Sequence, residues 1–215
     1  MSPVRYKRNR TFMFMLITSF LFFQCSEDTS DELPNDEERP VDAEALRISF
    51  QAEGEDPISL IATKWEGQNT NFFFPEGFPN EVEDLVLTNE VTYELNIELG
   101  NLSDLDSLNQ TIAENKEDFQ VFFAYQENIF EIPAASQGNI EEVGGDISYL
   151  DFDSNNLPVG LRSTWKPNIN GGGIFNTPIR FVLIQLDEEK TPLTSIDDGT
   201  VIFDLSLDVD IFRSE

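Results

Sequence analysis

The chain has 215 residues with 41 Asp+Glu against 13 Lys+Arg, no histidine and one cysteine, for a formal net charge of −28. So acidic a surface repels phosphate backbones and anionic headgroups, which argues against nucleic acid as a partner. With no histidine and a single thiol, the chain lacks the ligand sets that zinc, copper and haem prefer.

The first residues, MSPVRYKRNR, carry Arg5, Lys7, Arg8 and Arg10 and no acid, and the 13-residue uncharged run Thr11 to Phe23 follows. Basic residues before a short apolar stretch are the layout of a secretory signal. A helix of that length rises about 20 Å, short of the roughly 30 Å of bilayer hydrocarbon, so a signal is preferred over a spanning anchor. The run ends in LFFQC, and Phe22-Phe23-Gln24 are poor residues for an ordinary signal-peptidase cut.

A cysteine at that place resembles the lipobox of bacterial lipoproteins, in the looser form with bulky flanking residues found in Bacteroidetes. The resemblance implies that Cys25 is acylated and becomes the first residue of the mature chain. Residues 1–24 are then the signal peptide. Two or three acyl chains hold a protein stably on a membrane without a transmembrane helix. Ser26-Glu27-Asp28 resembles the serine-plus-acidic signal that routes such lipoproteins to the cell surface; the start of an acidic linker is the simpler reading. Loss of the leader leaves 9 basic against 41 acidic residues, a net of −32. Solvation in a salty habitat accounts for this charge, since screening acts beyond about 8–10 Å. A cationic partner is the alternative.

Ser26 to Ala45 holds nine acids, one arginine and two prolines. Such a segment buries too little apolar surface to offset the entropy of ordering and reads as a tether, 25–45, spanning about 25 Å. The remainder, 46–215, suits one domain.

Within that domain, period-two alternation dominates. Leu46, Ile48, Phe50 and Ala52 alternate with polar residues, as do Tyr93, Leu95, Ile97 and Leu99, and Val201 through Ile211. Each pattern predicts a strand with one wet face. Ile58–Trp65, Gln120–Tyr125, Ile147–Phe152, Leu161–Trp165 and Ile179–Leu186 add five more strands. Phe181-Val182-Leu183-Ile184 is apolar on both faces, which places that strand centrally. One segment follows a helical period instead: Leu105, Leu108, Ile112 and Phe119, with Ser103 as the expected cap. About eight strands and one short surface helix, without a βαβ rhythm, predict an all-β antiparallel sandwich.

Two loops invite chemistry. WEGQNTNFFFPEGFP gathers Trp65, Phe72, Phe73, Phe74 and Phe78. Aromatics on a rigid loop can stack on sugar rings or anchor a partner protein. The simpler reading is that they plug one end of the sandwich. Asp151, Asp153 and Asn155 form D-x-D-x-N, the opening of an oxygen-ligand calcium loop. Asn156 and Arg162 hold the places where an EF-hand needs glycine and glutamate, so the EF-hand is excluded. A less regular calcium loop and a tight turn with Asn155-Asn156 in left-handed conformations both remain.

Nucleophilic chemistry finds little support. Ser163-Thr164-Trp165-Lys166 matches S-x-x-K but lies on a predicted strand, and Lys190-Thr191 is followed by Pro192 where K-T-G would need glycine. Without histidine there is no Ser-His or Cys-His pair. Paired carboxylates for glycoside hydrolysis are the one enzymatic alternative so acidic a chain leaves open.

IAENKEDFQVFFAY (112–125), DFDSNNLPVGL (151–161) and FVLIQLDEEK (181–190), with the alternating last strand, together resemble a family of small flavobacterial lipoproteins without an assigned activity. That family often carries the label "type 1 periplasmic binding fold", an α/β architecture, whereas the alternation here is all-β. The resemblance implies a lipid-anchored outer-membrane protein working beside transport machinery. It also implies that two histidines of relatives are replaced here by Phe119 and Gln185.

Overall fold

A computed structural model describes residues 42–64, 72–73, 85–133, 138–139, 147–169 and 173–213. Among these residues, besides a 3-10 turn at Lys116–Asp118, ten strands and one short α-helix follow in chain order. They are β1 (Ala45–Ala52), β2 (Ile58–Lys64), β3 (Phe72–Phe73), β4 (Leu85–Thr88), β5 (Tyr93–Gly100), α1 (Asn109–Glu114), β6 (Phe119–Tyr125), β7 (Phe130–Ile132), β8 (Arg162–Pro167), β9 (Gly173–Leu186) and β10 (Gly199–Arg213). They form a six-stranded sheet, β3-β2-β1-β5-β8-β7, and a four-stranded sheet, β4-β10-β9-β6. The fold is all-β, as the alternation predicts.

Alternation explains how the layers meet. Leu46, Ile48 and Phe50 of β1, Leu95, Ile97 and Leu99 of β5, and Leu205, Leu207, Val209 and Ile211 of β10 enter one common core. Trp165 on β8 is fully buried at its centre. Its ring meets Phe130, Tyr125, Phe123 and Phe50 edge-on, with centroids 4.9, 5.4, 5.5 and 6.3 Å away. Edge-to-face contacts of this kind stabilise beyond the area they bury.

Strand β9 is interior, hydrogen-bonded to β10 and β6, and Phe181 to Ile184 are buried on both faces. The second face is sealed separately. Phe122, Val182 and Ile184 make a small outer cluster against Leu186, Val201 and Ile196, the last from the β9–β10 connection.

Three expectations change. First, the sandwich is not wholly antiparallel: β4 runs parallel to β10, with Leu85 opposite Val209 and Thr88 opposite Phe212. No hairpin joins β4 to β10, so turn geometry does not force the two antiparallel. Second, Ile147–Phe152 is not a strand. It makes only isolated bridges, Tyr149 with Ser163 and Phe152 with Pro158, because Asp151 takes up neighbouring amides with its side chain.

Third, the helix starts at Asn109, after Leu108 and with no side-chain cap, rather than at Ser103. Asn101 Oδ1 accepts from the Ser103 and Asp104 amides and folds that stretch into a turn. Asn109 then continues the β5 ladder with its carboxamide, accepting from Leu99 N–H at 2.8 Å and donating to Ile97 C=O at 3.0 Å. The short strands β3, β4 and β7 carry too few residues to show a period, and none is among the predicted strands.

Candidate functional site

The 151–160 loop is a turn built by its own carboxylates. Asp153 Oδ1 accepts from the Asn155 and Leu157 amides at 2.9 and 2.8 Å, and Asn156 holds a left-handed φ of 63°. Asn155 shows no positive φ, so one asparagine rather than two supplies the left-handed residue. Asp151 receives the Gly160, Leu161 and Arg162 amides at 3.1, 3.0 and 3.2 Å. Burial pushes the Asp151 carboxyl above its usual range, against those three amides, which hold it down.

The remaining oxygen of Asp153 faces a lysine from a distant loop. Lys190 Nζ stands 3.2 Å from Asp153 Oδ2, with both side chains closed to solvent. The two form an ion contact rather than a hydrogen bond, and the ammonium donates to Lys116 C=O at 2.8 Å and Pro158 C=O at 3.0 Å. Burial lowers the Lys190 pKa and the Asp153 carboxylate opposes that shift.

A calcium ion needs six to eight oxygen ligands. Here amide hydrogens and an ammonium occupy the carboxylates, and no group of three or more acidic ligands converges among the described residues. The donor set does not fit calcium.

The aromatic loop divides. Phe72 pairs opposite Lys64 at the sheet edge, is buried, and packs edge-on against Phe203 at 6.1 Å. It belongs to the core and is unavailable to a ligand. Trp65, Phe74 and Phe78 lie outside the described residues, as do Cys25, Ser26, Glu27 and Asp28, and Phe73 is described only as part of β3. Phe119 and Gln185 are direct cross-strand partners of β6 and β9, with Phe119 buried in the core. Ser163 of the S-x-x-K match is buried and accepts Trp165 Nε1–H at 2.9 Å, while Lys166 pairs with Glu131.

Pairing of β2, β1, β5 and β8 assembles a surface that no single segment announces. The outer residues of these strands stand in rows. Ser59, Ser49, Asn96 and Arg162 are successive cross-strand neighbours, and so are Gln51, Glu94 and Thr164. Arg47 stands opposite Glu98.

A groove of about 300 Å³ runs between these rows, lined by Arg47, Ser49, Gln51, Pro57, Ser59, Glu94, Asn96 and Glu98. A second groove of about 450 Å³ shares Gln51 and Glu94 with it and continues past Thr92 and Thr164 to Leu150, which is 42% exposed. Both carboxylates of the first groove are paired: Glu98 to Arg47 at 2.7 Å and Glu94 to Arg162 at 2.5 Å. Ser49 and Ser59 share a hydrogen bond at 2.9 Å, and among the described residues the Asn96 carboxamide has no protein partner. Alternating polar positions in β1 and β5 were the available signal, but strand order is what joins them.

No family model, no curated protein and no solved structure matches this chain.

Proposed function

We propose that this chain is a lipid-anchored lipoprotein of the outer membrane, facing the cell exterior, and that its sandwich is a non-enzymatic binding or accessory module. The observation that carries the anchor is Cys25, placed between a 13-residue apolar run and Ser26-Glu27-Asp28. An acidic stretch then separates the thiol from β1, which begins at Ala45, as a tethered module requires. The non-enzymatic part rests on the groove. Glycoside hydrolysis needs one carboxyl free to act as acid. Glu94 and Glu98 are each bound to an arginine instead. The partners that fit are outer-membrane transport proteins or glycans.

Labelling of intact cells with radioactive palmitate, followed by protease shaving, tests the anchor and the orientation. The wild type is expected to take up label and to be shaved, and Cys25→Ser to lose the label. Label retained by Cys25→Ser refutes the anchor, and resistance of the wild type to shaving refutes surface exposure.

A further inference from the structure

We infer that the outer face of the six-stranded sheet is a binding site for a neutral polysaccharide chain, with Asn96 and Gln51 as its central hydrogen-bonding residues. This deepens the reading of the sandwich as a binding module and rests on it.

Charge is the first argument. Acids outnumber bases 41 to 13 in this chain. Yet Arg47–Glu98, Arg162–Glu94 and Lys166–Glu131 spread three cations over this one face, each paired with a carboxylate. The first groove, whose carboxylates are both paired, therefore presents dipoles rather than net charge, and the second groove adds one carboxylate, Glu53, at its lining. An anionic polymer is repelled by the whole molecule, and a cationic one gains more from unpaired acids elsewhere. A neutral, hydroxyl-rich ligand is the class that this face alone favours.

Shape is the second. Two open grooves share Gln51 and Glu94 and run on across the sheet, which suits an extended chain better than a single small molecule. Rows of polar tips recur at the spacing of paired strands, about 4.8 Å, so successive hydroxyls of a polymer meet successive donors and acceptors.

Chemistry is the third. Among the described residues, Asn96 offers both a donor and an acceptor to the groove without a competing protein partner, and Gln51 donates only to Glu55 C=O on its own hairpin. Protein interfaces form around an apolar, desolvated centre. The first groove has only Pro57, and the second adds the buried Ala52 and Tyr93 and a single exposed large apolar side chain, Leu150. A sugar polymer is therefore the better occupant than a second protein.

The test is affinity electrophoresis of the full-length protein in detergent, through gels containing laminarin, mannan, xylan, an α-glucan or alginate. Retardation is expected in at least one neutral polymer and none in alginate. In that polymer Asn96→Ala and Gln51→Ala each lower affinity about tenfold, the scale of a lost hydrogen bond, while Trp65→Ala leaves it unchanged. Absence of retardation in every neutral polymer overturns the proposal, as does retardation insensitive to both groove variants. Loss of retardation in Trp65→Ala alone moves binding to the aromatic loop and overturns it equally. Concentration-dependent dimers that dissociate in Asn96→Ala would assign the face to a second copy and also refute it. Reducing ends released from the retarding polymer refute the non-enzymatic reading and leave the surface assignment standing.

Discussion

Lys190 and Asp153, 37 positions apart in the chain, meet as an ion pair at 3.2 Å with neither side chain open to solvent. The ammonium joins three pieces of backbone: the β9–β10 connection, the turn before β6 at Lys116, and the 151–160 loop at Pro158. Removing one member of such a pair leaves the other charge buried and uncompensated. Lys190→Met is expected to cost about 3–5 kcal/mol, read from urea denaturation. A loss within the range of ordinary surface substitutions would show that water reaches the pair.

The same lysine sets a pH dependence. Its folded pKa lies below the ordinary 10.5, chiefly through burial. Between that lowered value and 10.5 the unfolded chain binds more protons than the folded one, so this group's contribution to stability rises with pH. Below the window it is constant. The stability difference between wild type and Lys190→Met is therefore expected to widen as pH climbs toward 10.5. A difference that narrows there would reverse the direction of the shift.

Trp165 donates its indole N–H to Ser163 Oγ inside the core. Ser163→Ala removes one oxygen yet leaves that donor unsatisfied, at a cost of about 1–3 kcal/mol. Trp165→Ala opens a cavity in the aromatic cluster and costs about 3–5 kcal/mol. Chemical denaturation measures both. A neutral Ser163→Ala would mean that the indole finds another acceptor.

Gly160 has φ of +93°, and a Cβ there would stand 2.9 Å from Val121 Cβ and 2.9 Å from the Tyr149 ring. Its amide also serves Asp151. Gly160→Ala is expected to lose about 1–3 kcal/mol from backbone conformation alone, with the contact added. Thermal unfolding at unchanged calcium checks it.

Calcium itself is expected to have no effect on the melting temperature, because the Asp151 and Asp153 oxygens are already engaged by amides and by Lys190. Differential scanning calorimetry in millimolar calcium and in chelator is the comparison. A calcium-dependent rise that disappears in Asp153→Ala would restore the metal site.

Much of the fold is legible in the chain because strand faces are a local property. Leu46, Ile48 and Phe50 alternate in the sequence and enter the core together, and the doubly apolar Phe181–Ile184 is an interior strand. The helix was displaced because Asn109 engages the β5 backbone, a contact that hydrophobic spacing around Ser103 does not carry. Phe72 reads as one aromatic of a loop, yet its pairing against β2 makes it core.

By itself, the sequence determined the acidic charge, the alternating strands, the all-β class and the singular position of Cys25, since each depends on composition or on neighbours in the chain. Only the tertiary structure decided strand order, the parallel β4–β10 edge, the sealed Lys190–Asp153 pair and the grooved polar face. Those features require residues distant in sequence to be brought together. What brings them together is burial of two apolar faces against each other, and that is non-directional: it fixes which side of a strand is inside, but not which strand lies beside it.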